Sequence, residues 1–230
     1  MKIDVVDVGH VYPGPSSRRV LDGVNVALTE RRIGIIGANG SGKSTFLRLL
    51  NGLIVPSEGR VEVDGLDTAK KAREVRKKVG FCFTDPDSQI IMPTVAEDVG
   101  FGLRKSGLPK DEQRAKVMAL LEHFGLAGHA DHPAHLLSGG QKQLLAMASV
   151  LITEPTLLVM DEPTTLLDLR NAAMIGRVVA ELEPAVVLAT HHLYLLESFD
   201  RVLVFEGGHL VADDAPGPAI ATYRRLMEAA

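Results

Sequence analysis

The chain has 230 residues, 46% of them hydrophobic and 23% charged, a balance that supplies a sizeable core and excludes disorder. Its 25 basic and 29 acidic side chains leave a formal charge of −4, the wrong sign for a strongly basic nucleic-acid binder. A lone cysteine, Cys82, excludes an internal disulfide scaffold.

In chain order, Ile3 and Val5, then Val24, Val26 and Leu28, alternate as in strands, separated by a turn-rich loop over 12–17. Residues 33–36 read as a short strand apolar on both faces, as in a parallel sheet. A glycine-rich turn follows. A helix is then expected over 45–51, with Phe46, Leu49 and Leu50 on one face and Gly52 as its stop. Residues 60–67 alternate through Val61 and Val63 and close on Asp64-Gly65.

The character changes over 93–135, where 94–103 and 110–124 read as helices. The second carries Val117, Leu120, Leu121 and Phe124 at helical spacing and ends at Gly125. A further helix is expected over 140–153, stopped before Pro155. Strand-like runs follow at 157–160, 186–189 and 202–205, and Gly207-Gly208 reads as a two-residue hairpin turn. Strands alternating with helices imply an α/β parallel sheet with antiparallel and helical additions.

The longest apolar run, 144–152, is broken by Ser149 and far short of the ~18 residues of a membrane span. The start, Met1-Lys2-Ile3-Asp4, has an acid where a signal peptide would turn apolar. A cytoplasmic chain is expected, with any link to a membrane made through a partner.

Three segments carry chemistry. The first is Gly37-Ala38-Asn39-Gly40-Ser41-Gly42-Lys43-Ser44, which fits glycine, four residues, then Gly-Lys-Ser. In that pattern backbone N–H groups wrap a polyphosphate, the lysine reaches its terminal phosphates and the serine hydroxyl ligates Mg²⁺. A glycine-rich turn alone is the plainer alternative, but the strand and helix that the pattern needs flank it. The second segment, Thr156 to Glu162, is an apolar strand delivering Asp161 and Glu162 to its C-terminal end. Adjacent strand residues face opposite ways, so different roles are expected: Asp161 holding Mg²⁺ through water, Glu162 polarising the attacking water. The third is Leu137-Ser138-Gly139-Gly140-Gln141, in which Ser138 and Gln141 have the spacing of a capping box. Its glycines also expose N–H groups suited to a phosphate.

Together these segments resemble the nucleotide-binding subunit of ATP-binding cassette (ABC) transporters over nearly the whole chain, from 12 to about 208. The resemblance implies a phosphate-loop NTPase fold: a RecA-like parallel sheet with an antiparallel β subdomain and a small helical subdomain. It implies one nucleotide-binding domain, with 1–92 and 136–230 as core and 93–135 as the helical part. It also implies ATP and Mg²⁺ as ligands, contacted by Asn39, Gly40, Ser41, Gly42, Lys43, Ser44 and Thr45. Tyr12 would stack on adenine, and Asp168 would communicate across a dimer. His191 would hydrogen-bond the γ-phosphate, joining Glu162 and Lys43 as catalytic residues. Ser138, Gly139, Gly140 and Gln141 of one copy would close over ATP held by the other, giving a head-to-tail dimer. His192 stands where aspartate is common and is given no role; Leu166 stands where smaller residues are usual.

One departure is Thr84, which replaces the family's glutamine near the metal. On so short an arm it would need a bridging water, and Gln89 is too far along the chain to substitute. Altered coupling is expected, so Thr84→Gln should change partner-stimulated turnover. Two clusters are read more plainly. His129, Asp131, His132 and His135 could suggest a metal, but Pro133 breaks any helical register and a polar loop is preferred. Lys70, Lys71, Arg73, Arg76, Lys77 and Lys78 are read as a solvated helix face rather than a lipid or nucleic-acid contact.

Tyr12-Pro13, Asp85-Pro86-Asp87-Ser88-Gln89 and Thr190-His191-His192 look most like the energy-coupling-factor group of micronutrient importers. The end soon after the hairpin suits its dedicated ATPases, and the Phe81–Asp87 wording resembles the biotin type; cobalt or nickel is the alternative. The partners implied are a transmembrane coupling subunit, docking near 84–102, and a substrate-binding membrane subunit, which would place the chain peripherally on the cytoplasmic face of the membrane. A soluble ABC ATPase acting on nucleic acid or ribosomes is disfavoured by the acidic balance and by the absence of long coiled coils. A regulatory module with negligible turnover has Thr84 in its favour and Glu162 and His191 against it.

Overall fold

The computed structural model describes residues 1–14 and 17–228, so the loop expected over 12–17 lies partly outside it, at Pro15 and Ser16. The elements begin with β1 (Ile3–Tyr12), β2 (Arg18–Leu28), β3 (Arg32–Gly37), α1 (Lys43–Leu50), β4 (Glu58–Val63) and β5 (Leu66–Asp67). Next come α2 (Ala72–Lys78), β6 (Val79–Cys82), α3 (Val95–Phe101), α4 (Lys110–His123) and α5 (Gly139–Leu151). The chain continues through β7 (Leu157–Asp161), α6 (Leu169–Glu181), β8 (Ala185–Ala189), β9 (Arg201–Glu206), β10 (His209–Asp214) and α7 (Pro216–Glu228).

Two sheets form. The larger has the order β10-β9-β3-β8-β7-β6, parallel except for β10, which folds back on β9 with His209 opposite Glu206. The smaller, β2-β1-β4-β5, is antiparallel. The unbroken apolar runs in β7, β8 and β9 follow from burial on both faces. Leu157, Val159, Val187, Leu203 and Phe205 enter one core, shared with the smaller sheet and α1. Their neighbours Leu158, Met160, Val186, Val202 and Val204 enter another, beneath α5, α6 and α7. Because α1 lies between the sheets, Leu47 is as deeply buried as Phe46, Leu49 and Leu50, and the expected single apolar face becomes two.

Over 93–135 the ends are stitched together: Ala134 N donates to Pro93 O at 2.9 Å and Val95 N to His132 O at 3.2 Å. Helix α3 starts one residue later than the sequence suggests. Thr94 is its cap, with its hydroxyl accepting from Glu97 N and its own N–H donating to Glu97 Oε2. Val95, Val99, Val117, Leu121 and Phe124 are buried between α3, α4 and α5. Helices α6 and α7 add to the elements read from the sequence; α6 fills the crossover between β7 and β8, where a parallel pair requires one. Among the described residues no helix is long and apolar enough to cross a membrane.

Candidate active site

The site forms where β3 gives way to α1. Gly42 caps the helix with φ 107°, and a Cβ there would stand 2.6 Å from Leu21 Cδ2 and 2.9 Å from Val20 O. A Cβ on Gly37 would stand 2.3 Å from Phe205 O, so both positions require glycine. The loop between them presents the unpaired N–H groups of the first turn of α1, an anion-binding arrangement. Lys43, 5% exposed, donates from Nζ to Gly37 O at 2.9 Å and Ala38 O at 3.1 Å. Ser41 Oγ is buried beside the loop without a protein partner among the described residues.

Strand β7 brings the two acids to the same place. Ser44 Oγ donates to Asp161 Oδ1 at 2.9 Å. Burial pushes the Asp161 carboxyl above the ordinary carboxylate range, against the pull of the Ser44 hydroxyl and of the Arg48 and Lys43 charges. Strand alternation alone would turn Glu162 away from the loop. The chain instead takes φ 52° there, with Glu162 N donating to Ala189 O at 3.0 Å. That left-handed residue returns Glu162 Oε1 to 3.6 Å from Lys43 Nζ. His191, just beyond β8, stands with Nε2 2.8 Å from Glu162 Oε1 and 3.1 Å from Asn39 Oδ1. Both neighbours are acceptors, so the proton belongs on Nε2. Thr165 completes the group, donating from Oγ1 to Glu162 Oε2 at 2.7 Å.

A cleft of about 290 Å³ opens here, lined by Tyr12, Arg18, Val20, Asn39, Gly40, Gly42, Lys43, Ser44, Thr45 and Glu162. Tyr12, 36% exposed at the end of β1, has its hydroxyl 3.4 Å from Thr45 Oγ1. Arg18 and Val20 carry no motif, and Thr165 lies in the Pro163–Asp168 segment that resembles the family's dimer-communicating loop. The β1–β2 register pairs Arg18 with Tyr12, so only knowledge of that pairing could have found it. The donor set also suits the expected ligands. Hydroxyl and carboxylate oxygens from Ser44 and Asp161 match a hard divalent cation, and the buried Ser41 Oγ and glycine-lined loop match a polyphosphate.

Other expected residues lie elsewhere. Ser138 and Gln141 form the anticipated capping box at the start of α5, with Gln141 Oε1 accepting from Ser138 N at 2.9 Å. Neither lines the cleft. A Cβ on Gly140 would stand 2.7 Å from Asn171 Oδ1, so this segment packs on the chain's own α6. Asp168 caps α6 through Asn171 N at 2.8 Å. The Thr84 hydroxyl donates to the main-chain Asp161 O at 2.7 Å and ties the ends of β6 and β7 together. Gln89, whose side chain accepts from Phe83 N and donates to Ala146 O, is likewise committed to structure. His129 and His132 meet edge to face at 5.0 Å, and no group of three metal-ligating side chains forms among the described residues.

A family model described as ABC transporter matches residues 21–165. The chain belongs to the ABC transporter family. This cassette is 48% identical to the biotin transport ATP-binding protein BioM of Rhizobium etli, over 91% of the chain and 93% of that protein. It is 38% identical to the energy-coupling factor transporter ATP-binding protein EcfA1 of Bacillus subtilis, over 98% and 82%. Among solved structures it superimposes on cbiO1 of Clostridium perfringens, part of the ABC transporter complex cbiONQ, with a TM-score of 0.84. That match is 31% identical and covers 98% of this chain and 93% of that one. An ATP-binding cassette is thus what the glycine loop, the two acids and the fold add up to.

Proposed function

We propose that the chain is the ATP-hydrolysing subunit of an energy-coupling-factor importer and that it powers biotin uptake. The observation carrying the reaction is the meeting of Glu162, His191, Ser44 and Asp161 around Lys43 at the phosphate loop. Biotin rests on the likeness to the Rhizobium etli protein.

In this reading Tyr12 stacks on adenine, and Asn39 to Thr45 wrap the phosphates. Lys43 and His191 stabilise charge on the terminal phosphate. Ser44 and Asp161 would hold Mg²⁺, which would neutralise charge on the phosphates. Glu162 takes a proton from the attacking water as that water's oxygen bonds phosphorus and the bond to the bridging oxygen breaks. Residues Ser138 to Gln141 and Asp168 stay outside the chain's own cleft, so they serve the nucleotide of a second copy in a head-to-tail pair. Exposed Leu166 and Leu169, 65% and 77% accessible, lie beside that segment and suit burial in such a pair. Residues 93–135 act as the helical subdomain, and the membrane subunits dock on the apolar groove formed by Phe81, Phe83, Ile91 and Phe101. The chain then sits peripherally on the cytoplasmic face of the membrane.

Glu162→Gln tests the reaction: this variant should retain ATP and run as a dimer in it, while the unmodified chain turns ATP over. Normal hydrolysis by Glu162→Gln would remove the assigned base. Biotin accumulation by vesicles carrying the chain with its membrane subunits tests the solute.

A further inference from the structure

Glu162 is held by three side chains, and two of them have another task in the reaction proposed above. Lys43 Nζ, 3.6 Å from Oε1, and His191 Nε2, 2.8 Å from Oε1, are the groups assigned to phosphate. Both act on the same carboxylate oxygen. The other oxygen, Oε2, accepts the Thr165 hydroxyl at 2.7 Å, and Thr165 does not itself line the nucleotide cleft.

The backbone explains why this bond can stay fixed while the cleft works. Glu162 stands at φ 52°, and the turn is closed by Thr165 N donating to Glu162 O at 3.2 Å. Base and hydroxyl therefore belong to one hydrogen-bonded turn. With Oε2 occupied, the carboxylate cannot rotate freely about its last torsion, and Oε1 is presented toward Lys43 and the phosphate loop.

We propose that Thr165 is a positioning residue for the hydrolytic base: its hydroxyl fixes Oε2 of Glu162 so that Oε1 alone faces the attacking water. The proposal rests on Glu162 being that base.

The test compares Thr165→Val, which keeps the shape and removes the donor, with Thr165→Ser, which keeps the donor. In the full chain, Thr165→Val should lower kcat by about tenfold, the kinetic equivalent of one net hydrogen bond to a charged group. KM for ATP should be unchanged, and Thr165→Ser should recover the rate. Placed in the Glu162→Gln background, Thr165→Val should still give an ATP-bound dimer, because the hydroxyl serves the base and not the pairing of copies. Unchanged kcat in Thr165→Val, an equal loss in Thr165→Ser, or loss of the trapped dimer would each overturn the assignment. If Glu162→Gln hydrolyses ATP normally, the base itself is misassigned. If it is inactive while Thr165→Val is not impaired, only the role of Thr165 falls.

Discussion

Asp161 ends β7 with 3% of its surface exposed, and burial holds its carboxyl above the ordinary carboxylate range. Between the ordinary and the raised value the folded chain keeps a proton that the unfolded chain releases. Stability therefore falls as pH rises through that window. Asp161→Asn removes the loss. In urea melts without magnesium or nucleotide, the variant should exceed the unmodified chain in stability at pH 7, and the gap should close below about pH 4. A gap of the same size at both pH values would contradict this account. Cys82 is fully buried on β6, which pushes its thiol up to about 12. Iodoacetamide should therefore leave it unlabelled in the folded chain and modify it only in denaturant.

Two helices start on matching devices with different surroundings. Thr94 with Glu97 caps α3, and Ser138 with Gln141 caps α5. Each alanine substitution should cost about 1 kcal/mol of stability, read from chemical denaturation. Thr94→Ala should leave ATP turnover per folded molecule unchanged, whereas Ser138→Ala should lose it as well, because that serine is assigned to the nucleotide of the second copy. The Ser138–Gln141 box was legible in the sequence because it depends on four consecutive residues; the Thr94–Glu97 box emerged only with the structure. The direction of Glu162 was not legible, since a single left-handed residue after β7 reverses what strand alternation predicts. The bond made by Thr84 was hidden for a similar reason: its short side chain finds the carbonyl at the end of the adjacent strand, a neighbour fixed by sheet order.

Over the whole molecule, the parallel sheet separates two cores, and the cleft lies where the smaller sheet meets the phosphate loop. The loop, Asp161 and Glu162 share this place because β3, β8 and β7 are neighbours. The segment that begins α5 lies outside this cleft, and in the proposed head-to-tail pair it would complete the site of the second copy. Leu166→Asp should therefore reduce the ATP-dependent dimer of the Glu162→Gln variant in size-exclusion chromatography with light scattering. Its monomer should melt within a few degrees of the Glu162→Gln parent, since Leu166 is largely exposed. A dimer that persists with Leu166→Asp would argue against burial of this surface between copies.

The chain's own residues determined the glycine loop, the acidic strand end, the Ser138–Gln141 capping box and the fold class, because each is written in local spacing or in apolar periodicity. Tertiary structure alone decided that Arg18 stands beside Tyr12, that Thr165 holds Glu162, and that Thr84 is spent on a strand end. Such contacts depend on strand register and on one backbone torsion, which neither composition nor periodicity encodes.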